Sequence, residues 1–362
     1  MTRTGVVLFT RDLRVHDHPA LTAARRDCDR VVPLFVYDNR LLGTSPRRSA
    51  FLEERLAELR GALGLVVAHG DPVEEAGRFR PDAVYLSEDV SAYARRRAAR
   101  LSDRFDVRLF PGITIVPPGE LAPAGRNHYR VFGPYWRAWR ERPLPEPLDS
   151  GPALRAPDTA PLSPHLHFGS ISPAEVARGA SEDLLRNLCW RDFFAQLLFS
   201  QPELEWRDLH SRRTWRRDPD GVAAWKVGRT GYPFVDAAMR QLLLEGWIPN
   251  RQRMVVASYL TKDLGVDWRV GAAHFMEQLV DGDAASNSGN WQWVAGTGTD
   301  TRPNRRFNPI RQGRLHDPDG DYVRRWVPEL AALPAKTIHD PTPAQRRELG
   351  YVDPLGVEAL SR

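Results

Sequence analysis

The chain has 362 residues, 42% hydrophobic and 27% charged, with 51 Lys and Arg against 46 Asp and Glu. That length exceeds what a single core usually organises, so two domains are expected. The apolar fraction excludes a largely disordered chain. No apolar run is long enough to span a bilayer, and Met1-Thr-Arg leads into a strand rather than a signal peptide, so a soluble, cytoplasmic protein with no membrane partner is expected. The formal net charge of +5 rests on basic residues that are nearly all arginine. It leaves two readings, a polyanionic partner such as DNA and a solvated basic surface. Cys28 and Cys189 are far apart and differently placed, which argues against a disulfide or a metal site and suggests two small buried apolar residues.

In chain order, short apolar runs at 6–9, 31–37, 65–68, 83–86 and 107–110 read as buried strands. Helical patterns near 20–26, 49–63, 72–79 and 91–105 separate them. Strands alternating with helices predict an α/β domain with a doubly wound parallel sheet. No glycine-rich phosphate fingerprint follows the first strand, so a nicotinamide dinucleotide site is not indicated. Asp17 and Pro19 are expected to start the first helix, by capping and by a preset backbone angle. His16 and His18 have no partner cluster and are read as structural or exposed, with no metal bound.

An aromatic and basic stretch, HYRVFGPYWRAWR, precedes a connection rich in proline: Pro143, Pro145, Pro147, Pro152, Pro157, Pro161 and Pro164. Such composition forms a stiff, extended tether. The expected division is an α/β domain over 1–125, a connecting segment over 126–164 and an all-helical domain over 165–362. The first helix of that last domain with a clear amphipathic pattern, LLRNLCWRDFFAQLL, carries Trp190 and Arg191 at its middle. An aromatic residue amid leucines is ordinarily a core residue.

From Gly231 to Trp293, apolar residues recur at three and four positions through Val235, Ala238, Met239, Leu242 and Leu243, and again from Met254 to Leu260, the spacing of packed helices. Polar residues sit at one-turn intervals in the same stretch: Asn250 with Arg253, then Asp283 with Asn287, then Trp291. Residues three or four apart share a helix face, which would present carboxylate, amide and indole together. Arg253 with Asp281 or Asp283 is the expected ion pair. Two readings follow: these groups satisfy one another between helices, or they line a pocket for a planar heterocycle that donates and accepts hydrogen bonds. A calcium loop at Asp281-Gly-Asp283 is excluded, because the glycine is misplaced and Gln292 stands where a glutamate is required. Arg302, Arg305, Arg306, Arg311 and Arg314 form a basic run that either tracks phosphate or is a solvated face.

The motifs GWIPNRQRM, DWRVG, QLVDGD and NWQWVAGTGTD closely resemble the flavin-binding core of the DNA photolyase and cryptochrome family, and FTRDLRVHDHPAL resembles its opening signature. The likeness covers most of the chain apart from the proline-rich connection, and is nearest to a short class I cyclobutane pyrimidine dimer photolyase. It implies FAD as cofactor. By the same resemblance Thr159, Leu162 and Ser163 meet the pyrophosphate, Asn250, Arg253, Asp281 and Asp283 hold the isoalloxazine, and Asn287 lies beside its N5. Trp291, Trp268 and Trp215 match the chain of indoles that passes electrons inward to the flavin. Trp190 and Trp293 would stack on the lesion, Arg191 and Arg251 would clamp phosphates, and Met254 would touch the damaged bases. The first domain would house an antenna pigment, an 8-hydroxy-deazaflavin or a methenyltetrahydrofolate.

The implied function is light-driven repair of cyclobutane dimers in UV-damaged DNA by a monomer. The competing expectation is a cryptochrome-like photoreceptor without repair. Three departures bear on that choice. Asn187 stands where dimer photolyases have a glutamate, Pro161 replaces a basic residue of the phosphate loop, and the connection lacks helices that relatives carry. Histidines that mark enzymes acting on six-four photoproducts are absent at Asn250 and Met254, which favours cyclobutane dimers.

Overall fold

The computed structural model describes residues 2–38, 45–152, 161–210 and 213–356. They form two compact units, the first made of Met1–Glu205 with Val280–Ser286, the second of Trp206–Leu279 with Asn287–Arg362.

In the first unit, β1 (Thr4–Phe9), α1 (Pro19–Asp27), β2 (Arg30–Tyr37), α2 (Pro46–Leu63), β3 (Val66–His69), α3 (Pro72–Gly77), β4 (Ala83–Ser87), α4 (Ala92–Ser102) and β5 (Val107–Phe110) alternate as expected. The strands build one parallel sheet in the order β3-β2-β1-β4-β5. Because side chains alternate across a strand, Val6 and Leu8 enter one apolar cluster while Val7 and Phe9 enter another. Both faces of β1 are therefore buried, as a parallel sheet requires. The strand order reverses between β1 and β4, so the residues after these strands, Thr10, Arg11 and Glu88, flank a topological switch point, where α/β sheets bind ligands.

The start of α1 differs from expectation. Pro19 is its first residue, but the cap is His18, whose Nδ1 accepts from Leu21 N at 3.1 Å. His18 is fully buried, with Nε2 3.1 Å from Asp12 Oδ2. Asp17, at φ 48°, accepts instead from Leu148 N and from the Ser172 hydroxyl. Cys189 is buried as expected, whereas Cys28 is only half-buried, with Sγ 3.5 Å from Tyr85 Oη.

Four more helices belong to this unit: α5 (Phe132–Arg140), α6 (Leu162–Phe168), α7 (Pro173–Arg178) and α8 (Glu182–Ser200). The loop after β1 is stitched to the end of α6 by Leu13 N to Phe168 O at 2.9 Å and Arg11 Nε to His167 O at 3.1 Å. Gly169 permits this approach. It ends α6 at φ +65°, and a Cβ there would lie 2.1 Å from Arg11 O.

Asp192 on α8 is 1% exposed, and its Oδ2 accepts from Ile115 N, Val116 N and Trp139 Nε1 at 2.9–3.1 Å. One carboxylate thus fastens α8 to α5 and to the segment after β5.

The second unit is helical: α9 (Pro219–Lys226), α10 (Pro233–Glu245), α11 (Asn250–Ser258), α12 (Trp268–Gln278), α13 (Ala284–Ala295), α14 (Pro309–His316), α15 (Asp321–Trp326), α16 (Ala335–Ile338) and α17 (Pro343–Leu349). The boundary between the units falls within α13. Proline opens α9, α10, α14 and α17, where its missing N–H costs nothing. A π-helical turn, Tyr259–Asp263, continues α11. One apolar cluster collects Trp225, Met239, Val255, Leu260, Trp268, Phe275 and Trp291. No helix among the described residues is long and apolar enough to cross a membrane.

Burial pushes Asp192 up to about 6, against the opposing pull of its hydrogen bonds and of Arg191. A raised carboxyl stabilises the fold most below its unfolded value of 3.8 and loses that contribution as pH rises through about 6. The shift corresponds to roughly 3 kcal/mol. Urea unfolding should therefore show stability falling between about pH 4 and pH 6, and Asp192→Asn should flatten that slope. An unchanged slope in the variant would refute the assignment.

Candidate active site

The first unit gathers a charged cluster around Asp283. Its carboxylate accepts from Ser286 N at 2.7 Å, which caps α13 from the residue before it, so Asp283 stands ahead of the helix that carries Asn287. The other oxygen is 2.6 Å from Arg11 Nη2. Burial opposes the ionisation of Asp283, but Arg11, Arg191 and the Ser286 amide more than offset it and hold the carboxyl well below its usual range. Arg11 also reaches Asp89 at 3.4 Å. His167, half-buried beside these cations, is kept neutral by desolvation of its ring first and by Arg11 next.

Arg11 was not singled out from the sequence. The available signal was its place in FTRDLR, a cation directly after the first strand at the switch point. Asp281 is buried and lies within the electrostatic reach of Arg48.

Trp190 and Arg191 occupy the middle of α8. The Trp190 ring lies 3.6 Å from that of Phe132 with the planes 3° apart, and it meets Phe194 at 5.3 Å. Arg186 lies over Phe132, which leaves a cation beside the stacked pair. Arg191 donates to the backbone oxygens of Ile113 and, at 3.0 Å, of Leu166. Its guanidinium therefore also anchors the chain. Asn187, one turn before Trp190, is exposed.

Leu162 and Ser163 begin α6, and Thr159 lies outside the described residues. Pro161 is the N-cap, with no side-chain cap, so the N–H donors of this helix start at Leu162, and proline occupies a position that supplies none of them.

In the second unit, Asn250 opens α11, where its Nδ2 lies 3.9 Å from Met254 Sδ, and Arg253 Nε donates to Ile248 O at 2.9 Å. Asn287 donates through Nδ2 to Ala272 O at 2.9 Å, so its amide oxygen remains as the acceptor end. Arg251 lies over Phe307 at 5.9 Å, Phe307 is 6.5 Å from Trp293, and Arg305 lies over Trp293 at 5.0 Å. Arg251 and Trp293 thus share one aromatic and cationic strip with Arg305, a member of the basic run, and with Phe307, which sequence spacing did not join to them, while Met254 packs against the main apolar cluster.

Trp268 and Trp291 belong to the main apolar cluster, and Trp215 and Trp293 pack against it. Trp268 is fully buried and donates through Nε1 to Asp208 Oδ1 at 2.8 Å. Arg269 covers the Trp268 ring at 4.7 Å and is itself paired with Asp208 and Asp267. Trp291 meets Phe275 at 5.0 Å and Trp225 at 6.1 Å. It fits against α12 because residue 271 is glycine, where a Cβ would lie 2.1 Å from the indole. A glycine inside a helix costs about 1 kcal/mol relative to alanine; here it makes room for the ring.

Each unit taken by itself carries groups that suit a flavin. In the first, the ionised Asp283 carboxylate can accept from an N–H of a heterocycle and the start of α6 has the backbone N–H chemistry that phosphate takes; in the second, the Asn287 amide oxygen is an acceptor. Among the described residues no cluster of three or more His, Cys, Asp or Glu gathers as a metal site.

Comparison with known proteins agrees with this chemistry. Residues 5–153 match the family model described as DNA photolyase, and residues 184–355 match that described as FAD binding domain of DNA photolyase. A deoxyribodipyrimidine photo-lyase of Streptomyces griseus is 42% identical over 435 residues, covering 97% of this chain and 96% of that protein. The alignment is longer than this chain, so the relative carries segments with no counterpart here. Among solved structures, a bacterial class III photolyase from Agrobacterium tumefaciens has a TM-score of 0.86 at 32% identity, covering 99% of this chain and 95% of its own. An archaeal photolyase from Sulfolobus tokodaii with two FAD molecules has a TM-score of 0.86 at 30% identity, covering 98% and 96%. Sequence motifs, parallel-sheet unit, helical unit and these similarities agree: the chain belongs to the DNA photolyase family.

Proposed function

We propose that this chain is a cytoplasmic deoxyribodipyrimidine photo-lyase that repairs cyclobutane pyrimidine dimers in UV-damaged DNA. The observation that carries the reading is the near full-length identity to a protein of that name. When bound in its reduced state, FAD supplies a photoexcited electron donor, chemistry the polypeptide lacks. The class I placement rests on motif resemblance; the antenna, a deazaflavin or a folate, is likewise an expectation for the parallel-sheet unit.

The roles of the residues follow from their chemistry. Asp281 and Asp283 offer acceptors to the N–H edge of the ring, Arg253 balances charge, Asn250 contributes an amide, and Asn287 presents its oxygen toward N5. Leu162, Ser163 and Thr159 serve the pyrophosphate. Arg11 and Arg191 keep Asp283 ionised, so that it remains an acceptor despite burial.

Trp215 is half-buried while Trp268 and Trp291 are buried, the gradient expected of a relay from solvent inward. Asp208 at the Trp268 N–H favours positive charge on that indole, and Arg269 over the ring is neutralised by its own two carboxylates. Lesion bases unstacked from the duplex would regain stacking on Trp190 and Trp293. Arg251 and Arg305 would meet phosphate while Met254 contacts the bases. Asn187, exposed on α8, donates and accepts as an amide but carries no charge.

Reduced holoprotein under blue or near-ultraviolet light should restore dimer-containing oligonucleotides, quantified by chromatography against a dark control. Full FAD occupancy and lesion binding without light-dependent turnover would transfer the assignment to the photoreceptor class. Asn187→Glu should raise turnover if the missing carboxylate limits it.

Asp283→Asn removes the charge that balances Arg11 and Arg191. Its flavin-to-protein absorbance ratio should drop about ten-fold at matched protein concentration. In the parent protein the benefit of ionised Asp283 is complete above its unfolded value of 3.8 and is lost as pH falls through the lower folded value. Flavin retention should therefore fall on acidification, and parent-like retention by the variant would refute the role.

A further inference from the structure

The helix that opens with Asn250 and carries Arg251, Arg253 and Met254 ends in the π-helical turn Tyr259–Asp263, closed by Leu264 N to Tyr259 O at 3.0 Å. Such a turn holds an extra residue, which shifts the residues after it around the axis, and it occurs frequently at functional sites. Here it brings two consecutive charged residues, Lys262 and Asp263, into the interior, 8% and 5% exposed.

Both meet the connection between α13 and α14. Lys262 Nζ donates to Ala295 O at 2.7 Å and to Pro303 O at 2.6 Å, the two ends of the loop that follows α13. Gly296, at φ +75°, lets those ends meet, since a Cβ there would lie 2.2 Å from Pro303 O. Arg306 returns the contact: its Nη2 donates to Lys262 O at 3.1 Å, and its Nη1 lies 3.6 Å from Asp263 Oδ1. Neither oxygen of Asp263 has a hydrogen-bond partner, and among the described residues Arg306 is its one ion-pair partner. One residue further on, Phe307 N donates to Ser258 Oγ at 3.0 Å. Between these fixings stands Arg305, whose guanidinium lies over the Trp293 ring at 5.0 Å. Two buried charges contribute little net stability compared with apolar residues in their place. What they do supply is a fixed position for the groups they hold.

We propose that Lys262 and Asp263 are positioning residues for lesion binding: they stake the loop 296–306 at its neck and hold Arg306, so that Arg305 stays over Trp293 and the strip of cations and rings keeps one geometry for damaged DNA. The ligand rests on the repair reading; the staking of the loop does not.

Burial pushes Asp263 up to about 6, opposed by Arg306, and pushes Lys262 down to about 8, with Arg213 adding to the fall and Asp300 opposing it. The groups facing the pair are thus Arg306, Arg213 and Asp300, together with Tyr232 and Tyr259, both within the electrostatic reach of Asp263. Asp263 attracts Arg306 only when ionised, so the hold on the loop loosens as pH falls through about 6.

Hydrogen–deuterium exchange of residues 296–307 in the holoprotein, corrected for intrinsic rates, reads the loop, and titration of a dimer-containing oligonucleotide in the dark reads the lesion site. In the parent, protection of the loop should drop as pH falls through about 6, and Asp263→Asn should abolish that dependence. At neutral pH, Asp263→Asn and Lys262→Met should each weaken lesion binding roughly ten-fold and raise KM, while repair per absorbed photon at saturation stays at the parent level. Adding Arg306→Gln to Asp263→Asn should cost less than the sum of the two, because they share one contact. A loosened loop with parent-level lesion affinity in both variants, a pH-independent loop in the parent, or additive losses in the double variant would each overturn the proposal. A parent that binds no lesion would overturn the repair reading and the lesion role together, and the loop exchange would still report whether the staking exists.

Discussion

The chemistry of the first unit depends on keeping one carboxyl ionised where desolvation opposes its charge. Asp283 is surrounded by Arg11, Arg191 and a neutral His167, and the cations prevail over desolvation. The scaffold exists to hold these groups still. Arg11 leaves β1 at the reversal of strand order, Gly169 lets the end of α6 approach that loop, and Asp192 secures α8, which carries Arg191. A buried ion cluster of this kind contributes little net stability compared with an apolar replacement. Its retention fits a requirement for a fixed hydrogen-bond acceptor.

The second unit follows a different principle. Its centre is an aromatic core rather than a charge cluster, and polar groups enter it singly, each with a defined partner. Trp268 has Asp208, Asn287 has Ala272 O, and Arg253 has Ile248 O. Arg251, Phe307, Trp293 and Arg305 bring cations and rings together in one strip, the composition that suits a nucleic-acid lesion because rings stack on bases while arginines meet phosphate.

Much of this was legible in the sequence. The strands were readable because a parallel sheet buried on both faces demands continuous apolar runs, and the helices because apolar residues recur at three and four positions and Pro19 marks a start by local physics. The cofactor class was legible because long ordered motifs carry it. What escaped were relations between residues far apart in the chain. Arg11 to Asp283 spans most of the sequence, Asp192 gathers donors from two other segments, and Phe307 joins Trp293 only through packing. His18 displaced Asp17 as the first cap because its ring could face Asp12 in the interior, a tertiary choice that cap preferences do not encode.

Asp283 also does two jobs with one group. One oxygen secures the Ser286 amide at the first turn of α13, and the other engages Arg11. The orderliness of that turn is thereby tied to the electrical state of the carboxylate. Anything that draws Asp283 away loosens the Ser286 amide, whose exchange with deuterated solvent becomes an internal gauge of how firmly the charge is being held.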